Sequence, residues 1–114
     1  MRGTVLQYLV KSKSSGTEYL IEVYPTDDGP IITCTCPAGQ NGQFCKHRFG
    51  LIKGEEHELV RSSHPVFDLQ NMVSGRRLEV AINEMVKQER IFQQAQSRLR
   101  SVKKSVARII LGQS

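Results

Sequence analysis

A chain of 114 residues, 39% hydrophobic and without tryptophan, has room for one compact domain with an appendage, or for a small obligate oligomer. No apolar run approaches the roughly 20 residues of a membrane-spanning helix, and the sequence has neither a glycine-rich phosphate loop nor an acidic array for two-metal chemistry. The formal charge of +5 is unevenly held: residues 1–75 carry seven Lys/Arg against eight Asp/Glu, whereas residues 76–114 carry nine against three.

The N-terminal third alternates with a period of two. Thr4 to Val10 sets Leu6, Tyr8 and Val10 on one face and Val5, Gln7 and Leu9 on the other. Lys11 to Gly16 is polar and turn-like. Thr17 to Tyr24 alternates again, with Tyr19, Ile21 and Val23 opposed to Glu18, Leu20, Glu22 and Tyr24. Thr26-Asp27-Asp28-Gly29 is a hairpin signal, and Pro30 opens a third strand at a position where its missing N–H is tolerated. Ile31 to Thr35 completes a predicted three-stranded β-meander.

That third strand runs into all three cysteines of the chain. Cys34-x-Cys36 and Cys45-x-His47 flank a loop containing Pro37, Gly39 and Gly42. Three thiolates and one imidazole form a complete tetrahedral ligand set for structural zinc. An odd cysteine count leaves one thiol over in any disulfide scheme, and no apolar leader follows Met1-Arg2-Gly3. Both features point to a reducing interior, where clustered cysteines bind metal. Phe49, Leu51 and Ile52 predict a short helix, with Cys45 just before it and His47 in its first turn. Residues two apart inside a regular helix diverge, so the pair needs this boundary placement to converge. Two other readings compete: three buried structural cysteines beside an unrelated histidine, and a Cys45 nucleophile with His47 as base. The first requires the whole ligand complement to coincide by accident. The second conflicts with a closed four-ligand site, which leaves no position for substrate. His57, within Glu55-Glu56-His57-Glu58, and His64, before Pro65, are not needed as ligands. A small core also makes metal ligation a natural source of stability.

This arrangement of Cys34-x-Cys36, an eight-residue loop and Cys45-x-His47, after an apolar strand and before a short apolar helix, resembles the SWIM zinc finger. The resemblance implies a β-β-α unit with zinc held by these four residues. It also implies a role in nucleic-acid binding or protein interaction, since SWIM domains occur in helicase-like ATPases, transposase-derived proteins and regulators of recombination.

Beyond the finger, Gly54 closes the short helix and Glu55 to Arg61 is read as adding a further turn or two. Ser62-Ser63-His64-Pro65 is a break, Val66 to Val73 a short apolar segment predicted to be helical, and Ser74-Gly75 a second break. From Arg76 to Leu111 there is no proline or glycine. Leu78, Met85, Phe92, Leu99 and Val106 recur at seven-residue spacing, each followed three residues later by Ala81, Gln88, Ala95, Val102 and Ile109. This predicts one long helix with a coiled-coil or bundle seam, extending about 50 Å. Such a helix needs a partner, and a second copy is the simplest one. In a parallel dimer Glu84 would face Glu89 and Arg98 would face Lys103, whereas an antiparallel one can bring Glu89 near Lys103. Ile82, Ile91 and Ile110 widen the stripe, which favours a bundle or docking on the zinc module.

Arg98, Arg100, Lys103, Lys104 and Arg108 form a basic run free of acids, and Lys46 and Arg48 flank His47. Together they could contact phosphates; alternatively they solubilise the helix and complement its C-terminal dipole. The expected protein is therefore an α+β chain with three regions. Residues 1–61 hold the β-meander and zinc finger, residues 62–75 connect with a short helix, and residues 76–114 form a basic oligomerisation helix. The expected role is non-enzymatic and intracellular (cytoplasmic, or nuclear in a eukaryote), with zinc as cofactor and DNA or RNA as partner beside a second copy. The alternative is a dimeric adaptor whose zinc module docks on a larger protein complex.

Overall fold

The computed structural model describes residues 3–113. They fall into two compact units, one ending at Glu79 and the other beginning at Val80. The first is built on an antiparallel sheet of order β3-β2-β1-β4, in which β1 spans Leu6–Lys11, β2 Glu18–Tyr24 and β3 Ile31–Cys34. Leu6 lies opposite Val23, Tyr8 opposite Ile21 and Val10 opposite Tyr19, so the alternation of both strands sends one apolar set to one face. Leu6, Tyr8, Val10, Ile21 and Val23 are all buried there. Each such side chain contributes about 1.5–3 kcal/mol of transfer free energy. The other face mixes half-buried Leu9 and Leu20 with polar residues, Gln7 Nε2 donating to Glu22 Oε2 at 2.9 Å and Tyr24 Oη donating to Glu22 Oε1 at 2.9 Å. The β2–β3 turn closes through mutual backbone bonds between Thr26 and Gly29, whose φ of 121° favours glycine.

Two short helices follow: α1 over Pro37–Gln40 and α2 over Lys46–Ile52. The end of α2 is fixed by the Gly54 N–H to the Leu51 carbonyl and the Glu55 N–H to the Gly50 carbonyl, with Gly54 at φ 89°. This paired left-handed stop turns the chain out of the helix. The expected further helical turns over Glu55 to Arg61 are therefore not formed. Instead, Leu59–Ser62 is strand β4, antiparallel to the free edge of β1, and the sheet has four strands rather than three. The cause is the unpaired edge of β1, whose backbone groups need partners. β4 supplies them, helped by the Ser63 N–H to the Gln7 carbonyl, the Gln7 N–H to Ser63 Oγ, and the Lys11 N–H to the Glu58 carbonyl. A bulge at Leu9/Val10 absorbs one residue of mismatch.

Helix α3, Val66–Val73, buries Val66, Leu69 and Val73, the one-face spacing of an amphipathic helix. It packs against α2, with Gln70 Nε2 reaching the Ile52 carbonyl at 3.3 Å. Its entry is held by the Tyr8 hydroxyl, which donates to the Pro65 carbonyl at 3.0 Å. Burial, and after it the Asp68 carboxylate, pushes the Tyr8 phenol up to about 12.

Helix α4 spans Arg77–Ile110. Its start is capped by Glu79 Oε1, which accepts from the Gly75 N–H at 2.9 Å. At its end the Gly112 and Gln113 N–H groups return to the Ile109 and Arg108 carbonyls. None of its residues is buried. Among the described residues no helix is long and apolar enough to cross a membrane.

Candidate metal centre

Three short elements converge on the predicted ligands. Cys34 ends β3, opposite Ile21 in the sheet, so its position is fixed by strand register. Cys36 is the N-cap of α1: its Sγ accepts from the Gly39 N–H at 3.3 Å, and Pro37 follows at the first helical position, where no N–H is needed. Cys45 is the N-cap of α2 and His47 its second residue, the boundary placement that the C-x-H spacing requires.

The ligand atoms of Cys34, Cys36, Cys45 and His47 all lie within 4.8 Å of one another. Cys36 Sγ is 3.4 Å from Cys45 Sγ, and Cys45 Sγ is 3.6 Å from His47 Nδ1. A zinc tetrahedron with ordinary Zn–S and Zn–N bonds sets sulfur and nitrogen about 3.6 Å apart and two sulfurs about 3.8 Å apart. The set therefore fits zinc in donor chemistry and in spacing. All three thiols are free and buried. Burial pushes the Cys34 thiol up to about 12. Burial also acts on Cys45, but the Arg48 backbone N–H, followed by Cys36, His47 and Cys34, brings its thiol down to about 6. One thiolate is thus available near neutrality to receive a cation, whose charge would draw the proton from Cys34.

The surroundings hold this geometry. Gly39 is required by close approach: a Cβ there would lie 2.4 Å from the Cys34 carbonyl oxygen and 2.9 Å from Cys34 Cβ. The Tyr19 ring packs on His47 with centroids 5.1 Å apart. His47 Nε2 is buried and has no hydrogen-bond partner among the described residues. Arg48 straps the site from outside, Nη1 donating to the Ile32 carbonyl at 3.0 Å and Nη2 to the Gln43 carbonyl at 2.7 Å. From the sequence alone Arg48 stands only among the phosphate-binding candidates. Its bond to Gln43 reaches five residues back and its bond to Ile32 sixteen, a tie that no local pattern announces. In the sequence Gly39 presents itself as loop chemistry, although a glycine three residues after a ligand cysteine is a usable signal of close approach.

The remaining candidates lie elsewhere. Lys46 is exposed at the start of α2. Arg98, Arg100, Lys103, Lys104 and Arg108 are all exposed on α4, in the other unit. Among the described residues the salt bridge is Lys53–Glu55, so none of these cations is neutralised by a carboxylate. His57 is exposed, and His64 Nδ1 lies 2.8 Å from Ser63 Oγ, away from the metal cluster.

Residues 19–52 match the family model of the SWIM zinc finger, a span that contains all of β2 but its first residue, together with β3, all four ligands and α2. No curated protein and no solved structure matches the chain. The chain thus carries a SWIM zinc finger, a zinc-binding module, within its first unit.

Proposed function

We propose that this SWIM-bearing chain is a small, non-enzymatic intracellular protein that binds nucleic acid. The basic surface of α4 would supply the main phosphate contacts, assisted by Lys46 and Arg48 beside the metal centre. The observation that carries this reading is the segregation of charge: nine Lys/Arg against three acids beyond residue 75. At about 100° per residue, Arg100, Lys104 and Arg108 fall on the side of α4 opposite the apolar seam, so a partner on the seam leaves them free. Neutralised phosphates release counterions, and binding gains from that release irrespective of sequence. The zinc module contributes a rigid base for the adjoining surface rather than chemistry, because a four-ligand site offers no open coordination position.

The test is a mobility shift with short DNA and RNA at several salt concentrations. Replacing Arg100, Lys104 and Arg108 together by Ala should weaken binding to all sequences alike. It should also reduce the slope of log affinity on log salt by roughly one per lost phosphate contact. Alanine is a good helix former, so folding is spared. Wild-type protein that binds neither polyanion at low salt would end this reading.

A second reading is favoured by a different observation, the exposed apolar stripe of α4, on which Leu99 is 55% and Phe92 61% exposed. On this reading the chain is an adaptor, dimeric through residues 76–111, whose zinc module docks on a larger protein complex. A stoichiometric protein complex in the absence of any polyanion binding would favour it.

A further inference from the structure

The seam of α4 contains information about its own partner. Phe92, Leu99, Val102, Val106 and Ile109 are between 49% and 70% exposed, an apolar row that α4 itself does not cover. The positions flanking this row on one side are Ile82, Glu89, Gln96, Lys103 and Ile110, at seven-residue intervals. Read from the other end, the row places a cation where the first reading has an anion, with isoleucine at both ends and glutamine in the middle. It is complementary to its own reversal.

We infer that α4 pairs antiparallel with a second copy of itself, centred near Gln96; the inference rests on the self-association proposed above and gives it a direction and register. In this arrangement Glu89 faces the partner's Lys103 twice per dimer, and Ile82 faces the partner's Ile110 twice. Core layers match in size as well. Leu99 meets the partner's Ala95, Phe92 the partner's Val102, and Met85 the partner's Ile109, so bulky and smaller side chains interdigitate. Gln88 meets the partner's Val106, which leaves one polar residue in the seam. Arg98 comes beside the partner's Arg98 near the two-fold axis, a single like-charge contact between long side chains that can diverge into water.

A parallel pair in register is worse on both counts. It would stack Phe92 on Phe92 and Ala95 on Ala95, an overfull layer next to an underfilled one. Its flanks would set Glu84 against Glu89 and Arg98 against Lys103 on both sides, four like-charge contacts in place of one. The outward face with Arg100, Lys104 and Arg108 stays open in either arrangement.

Charge reversal distinguishes the two, because its sign differs. In full-length, zinc-loaded protein at low salt, Glu89→Lys or Lys103→Glu alone should raise the dimer Kd about tenfold, since two attractive contacts become repulsive. The double variant should return to within about twofold of wild type. For a parallel dimer each single change would tighten association, by turning Glu84–Glu89 or Arg98–Lys103 into an attractive pair. Sedimentation equilibrium reads the Kd, and circular dichroism at matched concentration checks that helix content is retained. Single variants that tighten the dimer, or leave it unchanged, overturn the antiparallel register alone. Wild-type protein that stays monomeric at high concentration overturns self-association itself. Neither result bears on the mobility shift, so the nucleic-acid reading stands or falls separately.

Discussion

In the first unit Tyr8, Ile21, Val23 and Leu69 are sealed from solvent, and every buried strand residue has a named partner across the sheet. In α4, 34 residues long, nothing is buried, and Leu99, Val106 and Ile109 lie open. The first unit buries a core of its own, although Ile31, Phe44 and Phe67 stay exposed on it, and it depends on a cation to hold three thiols and an imidazole together. The helix holds no metal ligand and leaves its apolar seam exposed. On the proposed pairing of α4, stability in the two regions would have different sources: ligand chemistry in one, concentration in the other. Perturbations should separate accordingly.

The largest effect is expected from the metal. Cys36→Ser, or strong chelation of the wild type, should release zinc and unfold residues 17–53, because structural zinc in such modules contributes on the order of 10–16 kcal/mol. Hydrogen exchange should show lost protection in β2, β3 and α2 while the pattern in α4 follows protein concentration instead. Next comes the seam. Leu99→Asp places an uncompensated charge in the proposed interface and should weaken dimerisation by several kcal/mol, seen by light scattering, with zinc content unchanged. If the two regions were interdependent, either change would abolish both metal content and association.

Smaller effects sharpen the account of the first unit. Gly39→Ala forces a Cβ onto the Cys34 carbonyl and should cost about 1–3 kcal/mol, with a parallel drop in zinc affinity measured by chelator competition. Tyr8→Phe removes one hydrogen bond to the Pro65 carbonyl and should cost about 1 kcal/mol at neutral pH. The folded-state pKa of Tyr8 is raised from 10 to about 12. Its contribution is therefore fully present below the unfolded value and lost as pH rises through that window. The Phe variant should lack this alkaline component in a denaturation series.

Which features could be read from the sequence follows from how local each one is. The alternation of Leu6–Val10 and Tyr19–Val23 is a property of neighbouring residues, and both strands form on the expected faces. The long helix is also local, lacking any Gly or Pro from Arg76 to Leu111, and it runs from Arg77 to Ile110. The ligand set was legible because four donors of the right chemistry fall within fourteen residues. Strand β4 was not, because Glu55-Glu56-His57-Glu58 reads as helix former and the edge that captures the following residues lies some fifty positions earlier. The Arg48 strap and the Gly39 contact were hidden for the same reason: each depends on a fold already formed.

Cys34, Cys36, Cys45 and His47 are expected to bind one zinc ion as a closed set. X-ray absorption at the zinc edge on purified protein, with metal content measured on the same sample, tests it directly. The expected result is one zinc per chain with three sulfurs at about 2.3 Å and one nitrogen at about 2.0–2.1 Å. A folded protein without zinc, or a zinc shell holding water or fewer than three sulfurs, would contradict it.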